Sequence, residues 1–221
     1  RQSRHVRAHR DAVPSAFADV IPLAAHQKAA DYTFVKTRLA MVEVCLSALL
    51  VLALTFGGVL QRLSDAWARL APPFGIAHGV ALIVSIVVLL SLLELPLTLY
   101  RTFVIEARFG FNRMTAKLFF VDLAKQTLIS AALGIPLLVL VLWLMARMGE
   151  LWWVWVWLAW TAFNLLVLLI YPSFIAPLFN KFSPLADQGL AARIEALLAR
   201  CGFRSGGLYV MDGSKRSSHG N

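Results

Sequence analysis

Apolar and polar positions alternate along the chain on the scale of whole helices. Four apolar runs, about 39–60, 77–100, 118–145 and 151–171, are separated by short polar stretches. Each run has about the 20 residues that an α-helix needs to cross a hydrocarbon core. Backbone N–H and C=O groups find no partner in lipid, so helices are the form these runs take. Pro96 and Pro136 lie inside the second and third runs and are expected to kink them. Residues 1–36 are polar and basic, broken into turns by Pro14 and Pro22, with a helix expected from about Ala24 into the membrane. After the fourth run, "PSFIAPLFNKFSPL" predicts an irregular, proline-rich exit. "ADQGLAARIEALLARCGF" predicts a soluble amphipathic helix: Leu190, Ile194, Leu197 and Leu198 share one face, Asp187 stands near its start and Gly202 closes it. "GGLYVMDG" predicts a short strand and a turn.

The fold class is therefore an all-α polytopic membrane protein, with four visible transmembrane helices followed by the beginning of a soluble α+β unit. Residues 1–36 form a juxtamembrane segment, 37–171 the transmembrane region and 172–221 the opening of a soluble domain. About 50 residues cannot close a good core alone, so that domain reads as truncated.

Composition agrees: 59% of the residues are hydrophobic and the net charge is +9. In a membrane protein a basic excess marks cytoplasmic loops and anionic headgroups, and without a basic-aromatic motif no nucleic-acid partner is expected. Lys and Arg number seven in residues 1–38, four in 101–117 and six in 172–221, against two and one in the remaining loops. The positive-inside rule then makes both visible ends and the 101–117 loop cytoplasmic. Trp152, Trp153, Trp155 and Trp157 open the fourth run where an outer interfacial belt belongs. Cys45 and Cys201 lie in unlike surroundings and predict no disulfide.

Glu43, Glu94, Asp122 and Lys125 fall inside the runs, all in the cytoplasmic half. Charge in a membrane faces a partner or water. Two readings fit: a polar chamber open to the cytoplasm, or interhelical pairing and snorkelling near the interface. Asp122 and Lys125 stand three apart on one helix and are expected to pair with each other. Asn164 is expected to bond across helices.

His5 and His9 have the i, i+4 spacing of a helical zinc site, but Val6 occupies the place where such a motif needs Glu, and Arg4 and Arg7 repel a dication. They read as part of a basic juxtamembrane segment.

Three strings carry more: "TFVIEARFGFN" (102–112), "YPSFIAPLFNKFSPL" (171–185) and "GSKRSSHGN" (213–221). In this order they resemble the integral-membrane CAAX prenyl proteases of type 1, zinc metalloendopeptidases that trim prenylated proteins. Gly220 departs from the Ser usual in the third string. The resemblance covers nearly the whole chain and implies more than the chain holds: a further membrane helix ahead of Arg1, and an H-E-x-x-H helix with a third Glu ligand beyond Asn221. Zinc is implied for the full-length protein, while this chain is expected neither to hold it nor to cut peptides alone; no catalytic or metal-ligating residue is assigned here.

By the same resemblance the third string leads into an edge strand of the substrate cleft. Ser217, Ser218, His219 and Asn221 are its candidate substrate-binding or site-supporting residues. Asn221 is favoured because an amide both donates to and accepts from a peptide backbone. The alternative is a polar turn capping local backbone groups. Lys215 and Arg216 read as solvated charge, the alternative being an acidic headgroup or a substrate carboxylate as partner. Gly110 predicts a tight turn, with Phe109 and Phe111 expected to pack on the catalytic domain, the alternative being contact with a prenyl chain.

The implied function is cleavage of prenylated or membrane-associated proteins at the cytoplasmic face. The implied partners are the bilayer and a peptide or protein substrate. The location is a bacterial inner membrane, or the endoplasmic reticulum if the source is eukaryotic. A quality-control protease for membrane proteins in a bacterium is the alternative. A non-catalytic transporter or scaffold is the alternative of another class.

Overall fold

A computed structural model describes residues 2–218. In chain order the helices are α1 (Gln2–Ala8), α2 (Leu23–Thr55), α3 (Val59–Ala68), α4 (Ile76–Tyr100), α5 (Ala107–Phe109), α6 (Ala116–Arg147), α7 (Trp152–Ile170), α8 (Ala176–Phe179) and α9 (Gln188–Arg200). Strands β1 (Phe182–Pro184) and β2 (Tyr209–Met211) pair antiparallel, with Ser183 opposite Val210. Four helical runs are long and apolar enough to cross a membrane: Leu23–Thr55, Ile76–Phe109, Ala116–Arg147 and Gly149–Phe179. The polytopic helical architecture is the expected one. The small sheet and α9 represent the soluble part among the described residues.

Two compact units make up the fold, one of residues up to Arg113 together with Ser218, the other of Met114–Ser217. In the first, α1 lies along α2. Arg10 forks onto Asp31 at 2.8 and 2.9 Å, and the Arg7 guanidinium sits 4.3 Å from the centre of the Phe34 ring. The first span ends at Thr55, earlier than expected, because the chain turns at Gly58 with φ +69°. A helix cannot continue through that left-handed residue. Residues 59–68, expected partly as span and partly as loop, form the separate helix α3. Val59, Leu63 and Trp67 recur at a four-residue spacing along it. Side-chain bonds fasten α3 to α4: the buried His78 reaches the Ser64 carbonyl at 3.0 Å and its hydroxyl at 3.3 Å, and Trp67 Nε1 donates to Ser85 Oγ at 2.9 Å.

In the second unit, Thr115 caps α6 by accepting a hydrogen bond from the Leu118 amide at 3.2 Å. A tight turn at Gly149–Leu151 leads into α7, which packs on α6. Helix α4 contains Pro96 and α6 contains Pro136, and both remain helical on either side of the proline. Trp153, Trp157, Leu168 and Leu169 are exposed, as side chains facing lipid are. Asp187 caps α9 by accepting from the Leu190 amide at 3.0 Å. Gly202, at φ +74°, closes α9, and the Phe203 amide returns to the Leu198 carbonyl at 2.9 Å. Cys45 and Cys201 are free and exposed.

Candidate functional site

The string 102–112 is not the loop that its position between two spans suggests. Helix α4 runs into a π-helical turn, Arg101–Glu106, and then into α5. Such turns are rare and concentrate at functional sites. The helix ends at Gly110, φ +80°, where the Phe111 amide donates to the Glu106 carbonyl at 2.8 Å and the Gly110 amide to Ala107 at 3.1 Å. This is the paired closure of a Schellman motif, which only a left-handed residue completes. Ile105 and Phe109 are buried with Leu39, against Tyr32, Val35, Leu97 and Phe111. The Tyr32 ring meets Phe109 edge-on at 5.2 Å and Phe111 at 4.9 Å. Phe109 and Phe111 thus pack against α2, where packing on the catalytic domain was expected. The Tyr32 hydroxyl donates to Glu106 Oε1 at 2.6 Å. Further along α2, Glu43 pairs with Arg101 at the start of the π turn. Ser218 belongs to this unit. Its amide donates to the Phe111 carbonyl at 3.1 Å and its hydroxyl to the Gly110 carbonyl at 3.1 Å.

The string 171–185 also departs from expectation. The proline-rich exit is helical: α7 continues through a second π-helical turn, Tyr171–Ile175, into α8, and the chain then enters β1. Pro172 and Pro177 sit at the start of the π turn and of α8. Inside a continuous helix each proline removes one backbone donor, and the wider π turn carries the helix past the gap. Lys125 does not pair with Asp122. Its ammonium donates to the Leu178 carbonyl at 2.7 Å, at the C-terminal end of α8, where a cation is favoured. Asp122 instead receives Arg216, with Nε to Oδ2 at 2.7 Å and Nη2 to Oδ1 at 3.2 Å. Arg216 also donates to Asn180 Oδ1 and to the Phe179 carbonyl, each at 2.6 Å. It is therefore not a solvated charge: the Arg216 side chain is 22% exposed and that of Asp122 16%. The hydrogen bonds to Asp122 raise the guanidinium pKa further, so Arg216 stays charged. Lys215 is paired too, to Asp212 Oδ2 at 2.6 Å, while Asp212 Oδ1 accepts the Lys181 amide at 2.8 Å. Lys215, and then the Lys181 amide, hold the Asp212 carboxyl below the usual carboxylate range.

Of the predicted substrate residues, His219 and Asn221 lie outside the described residues. Ser217 and Ser218 are half-buried after the turn Gly213–Lys215. Ser218 is engaged with the Gly110–Phe111 backbone, as a residue supporting a turn would be. Asn164 donates to the Trp160 carbonyl of its own helix at 2.7 Å, where a bond across helices was expected. Sequence reasoning missed Asp122, Asn180 and Arg216 as one cluster, because their separation of up to 94 residues leaves no periodic signal.

The described histidines are engaged elsewhere. His9 Nδ1 bonds the His5 carbonyl at 2.9 Å, His26 Nε2 bonds the His9 carbonyl at 2.8 Å, and His78 serves α3. No three His, Cys, Asp or Glu side chains converge among the described residues.

Comparison with known proteins gives a consistent answer. Residues 2–181 match the family model described as CAAX prenyl protease N-terminal, five membrane helices. A CAAX prenyl protease 1 homolog of Caenorhabditis elegans is 35% identical over 220 residues, covering 99% of this chain and 49% of that protein. The homolog of Arabidopsis thaliana is 33% identical, covering 95% and 51%. The crystal structure of S. mikatae Ste24p superposes with a TM-score of 0.87 at 30% identity, covering 98% of this chain and 52% of that one. The chain thus spans about half the length of the curated relatives it matches.

Proposed function

Because the chain belongs to the CAAX prenyl protease family, matching its N-terminal portion, we propose that it supplies the membrane-embedded wall and the lead-in to the cleft of a zinc metalloendopeptidase. The observation that carries this reading is the agreement of fold and family. Residues 2–181, which match the family model, contain all four of the membrane-length helical runs among the described residues. The proposed organisation is a juxtamembrane segment over 1–36, a membrane region over 37–171 and the opening of the peptidase domain over 172–221.

The proposed reaction is hydrolysis of a peptide bond in a prenylated or membrane-associated protein at the cytoplasmic face. The basic loops support this orientation, since Lys and Arg concentrate at both visible ends and in residues 101–117. Zinc is assigned to the whole protein, not to residues 2–218. Asn221, His219 and Ser217 are proposed to meet the substrate backbone, and Ser218 to support the turn before them. The role of this chain is to bind and orient.

The test is cleavage of a prenylated peptide by the whole protein in lipid nanodiscs. Cleavage is expected to vanish on chelation and to return with added zinc. A whole protein that leaves the peptide intact, or cuts it equally well in chelator, rules the reading out. The same peptide without its prenyl group separates a prenyl-dependent enzyme from a general membrane protease.

A further inference from the structure

Arg216 commits its guanidinium to four acceptor contacts: two on Asp122, one on Asn180 and one on the Phe179 carbonyl. A guanidinium has five N–H groups, so at most one is left for any other anion. This argues against a lipid headgroup or a substrate carboxylate as its partner. Stability is also a weak account of the arrangement. Taking two charges out of water roughly cancels what their attraction returns. What a planar fork supplies is geometry: two parallel bonds to a carboxylate fix both distance and plane.

The turn before Arg216 is fastened at its other end as well. Asp212 accepts the Lys181 amide at 2.8 Å, and its own amide donates to the Lys181 carbonyl at 3.2 Å. Residues 212 and 216 are thus both tied to the segment Phe179–Lys181, where α8 passes into β1. Arg216 is tied in addition to Asp122, in the second turn of α6. The turn between them can neither swing nor rotate without breaking several of these bonds. The candidate substrate residues begin one position later, at Ser217.

We propose that Arg216 is a positioning residue for the proteolytic reaction: clamped between Asp122 and the Phe179–Asn180 end of α8, it fixes the point from which the substrate-binding segment departs. This rests on the functional reading above. Its action is indirect, through backbone placement and not through contact with substrate. Misplacing a reacting group by about 1 Å is enough to cost about 10²-fold in rate. Arg216→Lys keeps the charge and loses the fork, whereas Arg216→Met loses both.

The experiment uses the whole protein in nanodiscs and the prenylated peptide. For the wild type, Arg216→Lys, Arg216→Met and Asp122→Asn it measures kcat, KM and the hydrogen exchange of residues 212–218 and of the spans. Arg216→Met is expected to lower kcat about 10²-fold with KM changed less than about threefold. Arg216→Lys is expected to fall between Met and the wild type, so that the conservative variant rescues part of the rate. Exchange is expected to quicken at 212–218 and to stay unchanged in the spans. A wild-type kcat in Arg216→Met, at normal exchange in the spans, overturns the proposal and leaves the functional reading standing. So does a rate loss accompanied by faster exchange throughout the spans, because Arg216 is then a stability residue only. If Arg216→Met does not fold, Arg216→Lys and Asp122→Asn decide by the same two readouts. A wild-type protein that does not cleave the peptide defeats the functional reading itself, and this proposal with it.

Discussion

Gly110 is held at φ +80° by the closure of the helix beneath it, and a Cβ there would meet only Lys28 Nζ at 3.9 Å. Space is therefore open and the cost of a side chain is conformational. Gly110→Ala is expected to destabilise the protein by about 1 kcal/mol, read as a lowered thermal midpoint in detergent. Asp212 makes a different demand, on protonation. Its folded-state pKa lies below the usual 3.8, chiefly through Lys215. A depressed carboxyl stabilises the fold at pH values above its unfolded pKa, and that contribution disappears as pH falls through the folded value. Protection of the 181 and 213–216 amides in wild type over Asp212→Asn is expected to be full at about pH 6 and to diminish as pH falls below 3.8, measured as paired exchange rates at each pH. For Asn221, a hydrogen bond from its side-chain amide to substrate predicts that Asn221→Ala lowers kcat/KM of the whole protein about tenfold; an unchanged value removes it from the cleft. Gly110 was legible as a turn because the φ it needs is nearly exclusive to glycine. Arg216 was not, because a basic residue in a polar string looks solvated until its partners are brought from 94 residues away.

The spans were legible as elements, since about 20 uncharged apolar residues have few other options. Their ends were less so. The second and fourth runs continue to Phe109 and Phe179 because their polar extensions keep helical hydrogen bonding through a π turn. Proline and glycine suggested interruption there, but Pro172 and Pro177 sit in and just after a π turn, whose wider spacing carries the helix past the missing amides. Helix α3 escaped notice although Val59, Leu63 and Trp67 mark an apolar face, since the run before it hid the break at Gly57–Gly58. Helix α9 was read correctly because it carries both a face and caps. Its cap yields a clean test: Asp187→Ala is expected to cost α9 about 1 kcal/mol, seen as faster exchange in residues 188–200 and not in the spans.

At the scale of the molecule, most charges inside the spans are paired. Glu43 meets Arg101, Asp122 meets Arg216 and Lys125 meets a helix-end carbonyl, whereas Glu94 is exposed. Pairing, which the sequence left level with an aqueous chamber, accounts for three of the four. The proposed orientation rests on loop charges and predicts a sidedness. With Cys45 replaced by Ser, a membrane-impermeant maleimide is expected to label the exposed Cys201 only from the cytoplasmic side of sealed vesicles. A cysteine placed at Arg69 is expected to react only from the other side. The reverse pattern defeats the proposed orientation.

The π turn at Arg101–Glu106 has a consequence for insertions and deletions. A π turn is an α-helix carrying one surplus residue, so removing Thr102 would restore an ordinary helix instead of breaking one. The surplus residue is taken up within the wider turn, so its removal would leave Glu106 facing Tyr32 and Phe109 beside Leu39. A lineage that lost this residue would keep both its membrane span and the registration of the "FGFN" turn. The composition of this segment is therefore more strongly constrained than its length.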